Sequence, residues 1–229
     1  QDWVQLGSDI DGELSGDNSG QSVSISSDGS IVAIGAINND GNGSNSGHVR
    51  VYEWNGSAWV QRGIDIDGEA SFDYSGTSVS LSSDGSIVAI GAGNNDGNGS
   101  NSGHVRVYEW NGLAWNKKGF DINGEAANDY SGYSLSLSSD GSIVAIGALN
   151  NDGNGSNSGH VRVYQWYKGD LGFSFWKQLG GDIDGEISGD KSGSSVSLSS
   201  DGSVVAIGAP DNSDGLGRGH VRVYDWNGT

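Results

Sequence analysis

Polar and apolar residues alternate along much of the chain, and the alternation breaks at fixed places. Ser22 to Ser26 alternates small polar with apolar residues, the pattern of a half-buried strand. Asp28-Gly29 follows as a tight turn, where glycine accepts a positive φ. Ser30 to Ala36 is apolar on both faces, so this strand is expected to be covered on both sides. A glycine-rich loop, Asn38 to Gly47, leads to a third strand, His48 to Trp54. It carries Val49 and Val51 on one face and His48, Arg50 and Tyr52 on the other. Asn55-Gly56 is a second hairpin signal, and Trp59 to Gly63 reads as a fourth strand. No window has a helical apolar period, so essentially no helix is expected.

This pattern recurs. Asp-Ile-Asp-Gly-Glu starts at Asp9 and Asp65, appears with Asn123 in the middle at Asp121, and returns at Asp182, in steps of 56, 56 and 61 residues. The longer step comes from an insertion in Tyr167 to Phe175. Residues Asn38–Tyr52, Asn94–Tyr108 and Asn150–Tyr164 are identical, while the fourth copy diverges across Asp211–Tyr224. Four short antiparallel strands in a unit of about 56 residues describe a propeller blade. The expected fold is therefore all-β: one domain over residues 1–229, a four-bladed β-propeller. The chain opens with a fourth-type strand, residues 3–7, and closes with a third-type strand, His220 to Trp226. The N-terminal strand is thus expected to complete the last blade and close the ring, which removes exposed strand edges. The same phase would arise from four units cut out of a longer array, or from two chains closing an eight-bladed ring.

Composition narrows the function classes. A formal net charge of -18, from 11 Lys and Arg against 29 Asp and Glu, repels phosphate backbones and speaks against nucleic-acid binding. No apolar run is long enough to span a membrane as a helix, so no membrane insertion is expected. Without cysteine there is no disulfide, thiolate nucleophile or cysteine-ligated metal. A chain with no methionine, beginning at Gln1, is expected to be a processed or excised piece.

The repeated motif is Ser-Gly-x-Ser-Val/Leu-Ser-Leu/Ile-Ser-Ser-Asp-Gly-Ser-Ile/Val-Val-Ala-Ile-Gly-Ala, followed by Gly-His-Val-Arg-Val-Tyr. With Gly208-Ala209-Pro210 in the fourth copy, it resembles the FG-GAP repeat of integrin-α-type propellers and of many surface proteins. Two departures stand out. Serine replaces the phenylalanine of the name (Ser19, Ser75, Ser131, Ser192), and a short Ser-Ser-Asp-Gly-Ser turn replaces the usual calcium loop. The closer likeness is to the variant with Trp-x-Gln strands and no such loop. The resemblance implies an extracellular or cell-surface location and binding or scaffolding work.

The candidate metal ligands lie in the acidic loops. They are Asp9, Asp11, Glu13 and Asp17; Asp65, Asp67, Glu69 and Asp73; Asp121, Asn123, Glu125 and Asp129; and Asp182, Asp184, Glu186 and Asp190. Alternating carboxylates in a glycine-bearing loop can offer oxygens to calcium, although the spacing is not that of an EF-hand. The alternative is a solvated turn whose side chains bond the nearby backbone. The long loop offers Asp40, Asn42, Ser44 and Ser46 in the same alternating way, with a hydrogen-bonded surface loop as the simpler reading. The histidines His48, His104, His160 and His220 sit on third strands, away from the axis, so a structural role is expected for them. Arg50, Arg106, Arg162 and Arg222 are expected to pair with nearby acids.

Trp54/Trp59, Trp110/Trp115, Trp166/Trp176 and Trp226/Trp3 flank hairpins, as cross-strand packing pairs or, alternatively, a sugar-stacking platform. Tyr167, Phe173 and Phe175 are candidate partner contacts. Asn42, Asn55, Asn98, Asn154 and Asn227 stand in glycosylation sequons. The same polar groups recur in every unit, whereas catalysis needs unlike groups around one pocket, so no enzyme is expected. The expected role is an extracellular adhesive or structural module that contacts other extracellular proteins or copies of itself. The alternative is a multivalent, calcium-dependent glycan-binding lectin.

Overall fold

The computed structural model describes residues 2–169, 172–212 and 217–228; part of the insertion and part of the divergent fourth loop lie outside them. The described residues form 18 strands and no helix. The strands make four antiparallel sheets, one per repeat. Blade 1 holds β1 (Ser19–Ile25), β2 (Ile31–Ala36), β3 (His48–Trp54), β4 (Trp59–Gln61) and β5 (Ile66–Asp67). Blade 2 runs from β6 (Ser78–Leu81) through β7 (Ile87–Ala92), β8 (His104–Trp110) and β9 (Trp115–Lys117) to β10 (Ile122–Asn123). Blade 3 comprises β11 (Ser131–Leu137), β12 (Ile143–Ala148), β13 (His160–Lys168), β14 (Ser174–Gln178) and β15 (Ile183–Asp184). Blade 4 holds β16 (Ser195–Leu198), β17 (Val204–Ala209) and β18 (His220–Asp225).

Within blades 1 to 3 the first four strands pair in chain order and the short fifth strand pairs with the third, beside the fourth; blade 4 has its first three strands in chain order. The two hairpins fall where Asp-Gly and Asn-Gly predict them. At the first, the Asp28 carboxylate accepts bonds from Ser26 Oγ (2.7 Å), Ser30 N (2.9 Å) and Ser30 Oγ (2.8 Å). Those bonds, the Ser26 hydroxyl foremost, hold its pKa at about 2 against an ordinary 3.8. A lowered carboxyl pKa stabilises the fold above about 3.8, and this contribution is lost as pH falls through about 2. A carboxyl NMR titration of Asp28 is expected to show its midpoint near 2, with Asp201, which has the same turn, alongside.

Blades stack face on face. The face carrying Ile31, Ala33, Val49 and Val51 of blade 1 packs against Val79, Leu81, Val88 and Ile90 of blade 2. The same core repeats between blades 2 and 3 and between blades 3 and 4. The inner strands are also stapled by serine. Ser24 Oγ accepts from Leu81 N (2.9 Å), and Ser22 Oγ donates to the Gly76 carbonyl (2.7 Å). This explains alternating serines on strands that face a core. The seam is so close that a Cβ on Gly91 would run into the carbonyl oxygen of Gly132 in the next blade.

The two ends of the array are uncovered. Val23 and Ile25 on the first blade are 64% and 60% exposed, while their equivalents Val79 and Leu81 are 9% and 8%. Val221 and Val223 on the last blade are 68% and 64% exposed, against 0% and 1% for Val49 and Val51. The expected ring closure is not formed. Residues 3–7 make no strand, β18 has no fourth-strand neighbour, and Trp3 is fully exposed. The N-terminal segment instead lies on blade 1, where the Leu6 carbonyl accepts the Trp59 indole N–H at 2.9 Å.

Candidate functional site

The acidic loops do not act as single four-carboxylate units. Each is divided between structural turns and a polar seam between neighbouring repeats. Asp17, Asp73, Asp129 and Asp190 are buried. Asp17 Oδ2 accepts from Leu14 N (3.1 Å) and Asn39 Nδ2 (3.0 Å), and Asp73 does the same with Ala70 and Asn95. Asp129 bonds Ala126 N and Asn151 Nδ2, while Asp190 bonds Glu186 N and Ile187 N. These carboxylates close turns. Asp11, Asp67 and Asn123 point outward, and their backbone carbonyls accept the Nη2 of Arg50, Arg106 and Arg162 at 2.6–2.7 Å. Asp184 serves Arg222 in the same way.

The first aspartate and the glutamate of the motif behave differently. β5 pairs with the start of β3, with His48 opposite Asp67. This brings Asp65 from the following repeat beside His48, while Glu13 reaches the same histidine from the preceding loop. His48 Nδ1 is 3.9 Å from both Glu13 Oε2 and Asp65 Oδ2. In blade 3, His160 Nδ1 lies 3.8 Å from Glu125 Oε2 and 3.9 Å from Asp182 Oδ2. Glu69, His104 and Asp121 form the middle counterpart. Burial holds all three imidazoles below their ordinary pKa, His104 at about 4, so they are neutral at pH 7. His220 has Glu186 at 3.6 Å. The aspartate that would complete its set is Asp9, which sits at the other end of the array and accepts from Gln5 Nε2.

Three of the four arginines pair with acids as expected, while Arg222 donates to the Asp184 carbonyl and to Ser192 Oγ. Arg50, Arg106 and Arg162 lie 3.8, 3.7 and 3.5 Å from Glu13, Glu69 and Glu125. Each also stacks over the tyrosine two residues on, as Arg50 does over Tyr52 at 5.5 Å.

The long loop uses its polar groups internally. Asp40 Oδ1 accepts from Asn45 N, and buried Ser46 bonds within the loop. Asn42 Nδ2 donates to the carbonyls of Gly68 (2.9 Å) and Glu69 (3.1 Å), clamping one repeat to the next. Asn98 and Asn154 do the same, so a glycan on any of these three amides would displace a clamp bond. Asn55 and Asn227 lie on the exposed surface.

Three tryptophan pairs form cross-strand contacts, with ring centroids 5.3–5.5 Å apart. The N–H of each second indole is bonded to the carbonyl of the residue equivalent to Leu6, Arg62 or Lys118, so these rings serve packing between blades. The fourth pair is not made: Trp226 lacks Trp3. An apolar cleft of about 260 Å³ opens beside Trp226, bounded by Leu179, Ile183, Val205 and Tyr224. In the insertion, Tyr167 and Phe175 pack at 5.5 Å across the lengthened hairpin, while Phe173 is 76% exposed.

Among solved structures, the chain is similar to one from Bacteroides uniformis assigned as a 6-phosphogluconolactonase. Identity is 11% and the TM-score 0.54, over 90% of this chain and 55% of that one. It is also similar to the hydrazine synthase of Kuenenia stuttgartiensis, at 15% identity and TM-score 0.51, over 98% of this chain and 53% of that one. At these identities the likeness is one of fold, and the chain spans about half the length of either structure. No curated protein sequence matches it. The profile of the FG-GAP repeat matches residues 10–52, 64–108 and 123–164, which are the first three acidic-loop, hairpin and Gly-His-Val-Arg-Val-Tyr units just described. The chain therefore belongs to the FG-GAP repeat family.

Proposed function

We propose that the chain is a non-enzymatic, extracellular structural or adhesive module that docks end to end with further blades of its own kind. For this 229-residue chain by itself, the occupant of each end face is a second copy. The observation that carries the reading is the cleft beside Trp226. Trp115 packs into the core between blades 1 and 2, and Trp176 into the core between blades 2 and 3. The equivalent place at blade 4 is the cleft of about 260 Å³, and the equivalent residue is the exposed Trp3. A copy placed head to tail inserts Trp3 there and sets Val23 and Ile25 against Val221 and Val223. That contact repeats the three interfaces already inside the chain. The closed four-bladed ring is the intramolecular form of the same contact. The recurrence of one polar set in every repeat supports a non-enzymatic role, and the family resemblance supports an extracellular one.

Light scattering tests the docking. The chain is expected to run at twice its 23.6 kDa or more, and Trp3→Ala to weaken association by about 2–4 kcal/mol, the range of a buried tryptophan anchor. A particle of 23.6 kDa, whether self-closed or open, overturns docking between copies.

A further inference from the structure

We propose that the Glu13–His48–Asp65 and Glu125–His160–Asp182 clusters each bind one divalent transition-metal ion of the zinc type, and that Lys117 fills the equivalent place in the middle repeat. Each cluster joins residues from three separate segments at the junction of two repeats, and its ligand atoms lie within 4.8 Å of one another. The histidines point to a ligand independently of the acids. His48 and His160 are each 1% exposed, and the Nδ1 atoms facing the carboxylates have no hydrogen-bond partner. A buried imidazole nitrogen without a partner is destabilising, and a bound cation would satisfy it.

The donor set selects the ion. Calcium takes oxygen ligands, while one neutral imidazole with two carboxylates suits zinc and its neighbours. Bonds of about 2.0–2.1 Å place tetrahedral ligands roughly 3.4 Å apart. The imidazole–carboxylate separations are 3.8–3.9 Å and all ligand atoms of a cluster lie within 4.8 Å of one another, so binding draws two partly exposed acids inward. Outer partners already orient them. Gln61 Nε2 donates to Asp65 Oδ1 at 2.6 Å and leaves Oδ2 toward His48, and Gln178 does the same for Asp182 at 2.7 Å. Arg50 and Arg162 lie against the other oxygens of Glu13 and Glu125.

The middle repeat is a natural control. The position of Gln61 and Gln178 is held there by Lys117. Its ammonium lies 2.5 Å from Asp121 Oδ1 and 3.7 Å from Glu69 Oε1. A fixed cation at that point neutralises the acids and repels a second one.

The test is the zinc content of the chelator-stripped, full-length chain after reloading and desalting, with cobalt(II) absorption as a second readout. Two equivalents are expected. His48→Gln and His160→Gln should each lose one, and Lys117→Gln should gain a third. Asp65→Asn, a change at a half-buried side chain, should also lose one equivalent, which guards against misfolding of the histidine variants. Three equivalents in the unaltered chain overturn the role of Lys117. Zinc retained by the His48→Gln and Asp65→Asn variants, or no stoichiometric binding, overturns the sites. Calcium that displaces zinc at equal concentration overturns the assignment of ion class. Head-to-tail association would bring Asp9 of a second copy to His220 and Glu186 and complete one further set, so the counts are made in the Trp3→Ala background, where failure of docking and failure of metal binding are read separately.

Discussion

Replacing Gly91 with alanine is expected to lower the melting temperature by roughly 3–10 °C, while Gly208→Ala has a much smaller effect. The two glycines hold equivalent places on the second strand of blades 2 and 4. At Gly91 the new methyl would meet the carbonyl of Gly132, which belongs to the backbone of the next blade and moves only if the whole interface opens. At Gly208 it would meet chiefly the hydroxyl of Ser195, a side chain that can rotate away. Overpacking of a tight interior contact costs about 1–3 kcal/mol, and in a chain of this size each kcal/mol is worth about 2–4 °C. Differential scanning calorimetry of the two variants in the Trp3→Ala background, where no second copy covers the face of Gly208, gives the comparison directly. Equal shifts would mean that the approach of Gly91 to Gly132 does not carry the strain.

Val105→Asp is expected to unfold much of the protein, and Val221→Asp to leave the fold nearly untouched. Both valines follow the histidine of a third strand. Val105 is 0% exposed inside the core between blades 2 and 3, and Val221 is 68% exposed at the end of the array. Burying an unpaired carboxylate costs on the order of 4 kcal/mol, a large part of a domain's stability. The exposed change stays within about 0.5 kcal/mol. Denaturant unfolding in the Trp3→Ala background isolates the fold from any association, since the face of Val221 is also the proposed docking face. Similar unfolding midpoints for the two variants would mean that the end face is covered within a single chain.

Much of the local fold was legible in the sequence. Asp-Gly and Asn-Gly mark turns by a local mechanism, and the second strands β7 and β12 are apolar on both faces because two neighbouring blades cover them. The third strand of blade 1 forms with the expected bounds, His48–Trp54, and that of blade 4 ends one residue short of the expected Trp226, at Asp225. Ring closure was not legible. Repeat phase gives the order of strands, but it does not give the rotation from blade to blade that decides whether residues 3–7 reach β18.

The site was half legible. The acidic motif stands out as a recurring string, and its spacing predicts one loop. Its members separate because Asp17 turns inward to Leu14 and Asn39, while Glu13 reaches a strand that begins at His48. His48 does not gather its acidic neighbours by convergence on a propeller axis. Its neighbours come from the preceding and following acidic loops, a proximity set by the pairing of β5 with β3. The one local sign was the exchange of glutamine for lysine at Lys117, four residues before Asp121.

The stacking also makes stability uneven along the array. Blades 2 and 3 are flanked on both sides, while blades 1 and 4 each have one neighbour. In an array held together by nearest-neighbour contacts, opening starts where one of the two contacts is missing. Amide protons of β7, β8 and β12 therefore exchange with solvent only when the array itself breaks. Those of β18 exchange through fraying of the last blade. A protease meets the protein from its ends inward, and any docking that covers those ends converts the two most vulnerable blades into interior ones.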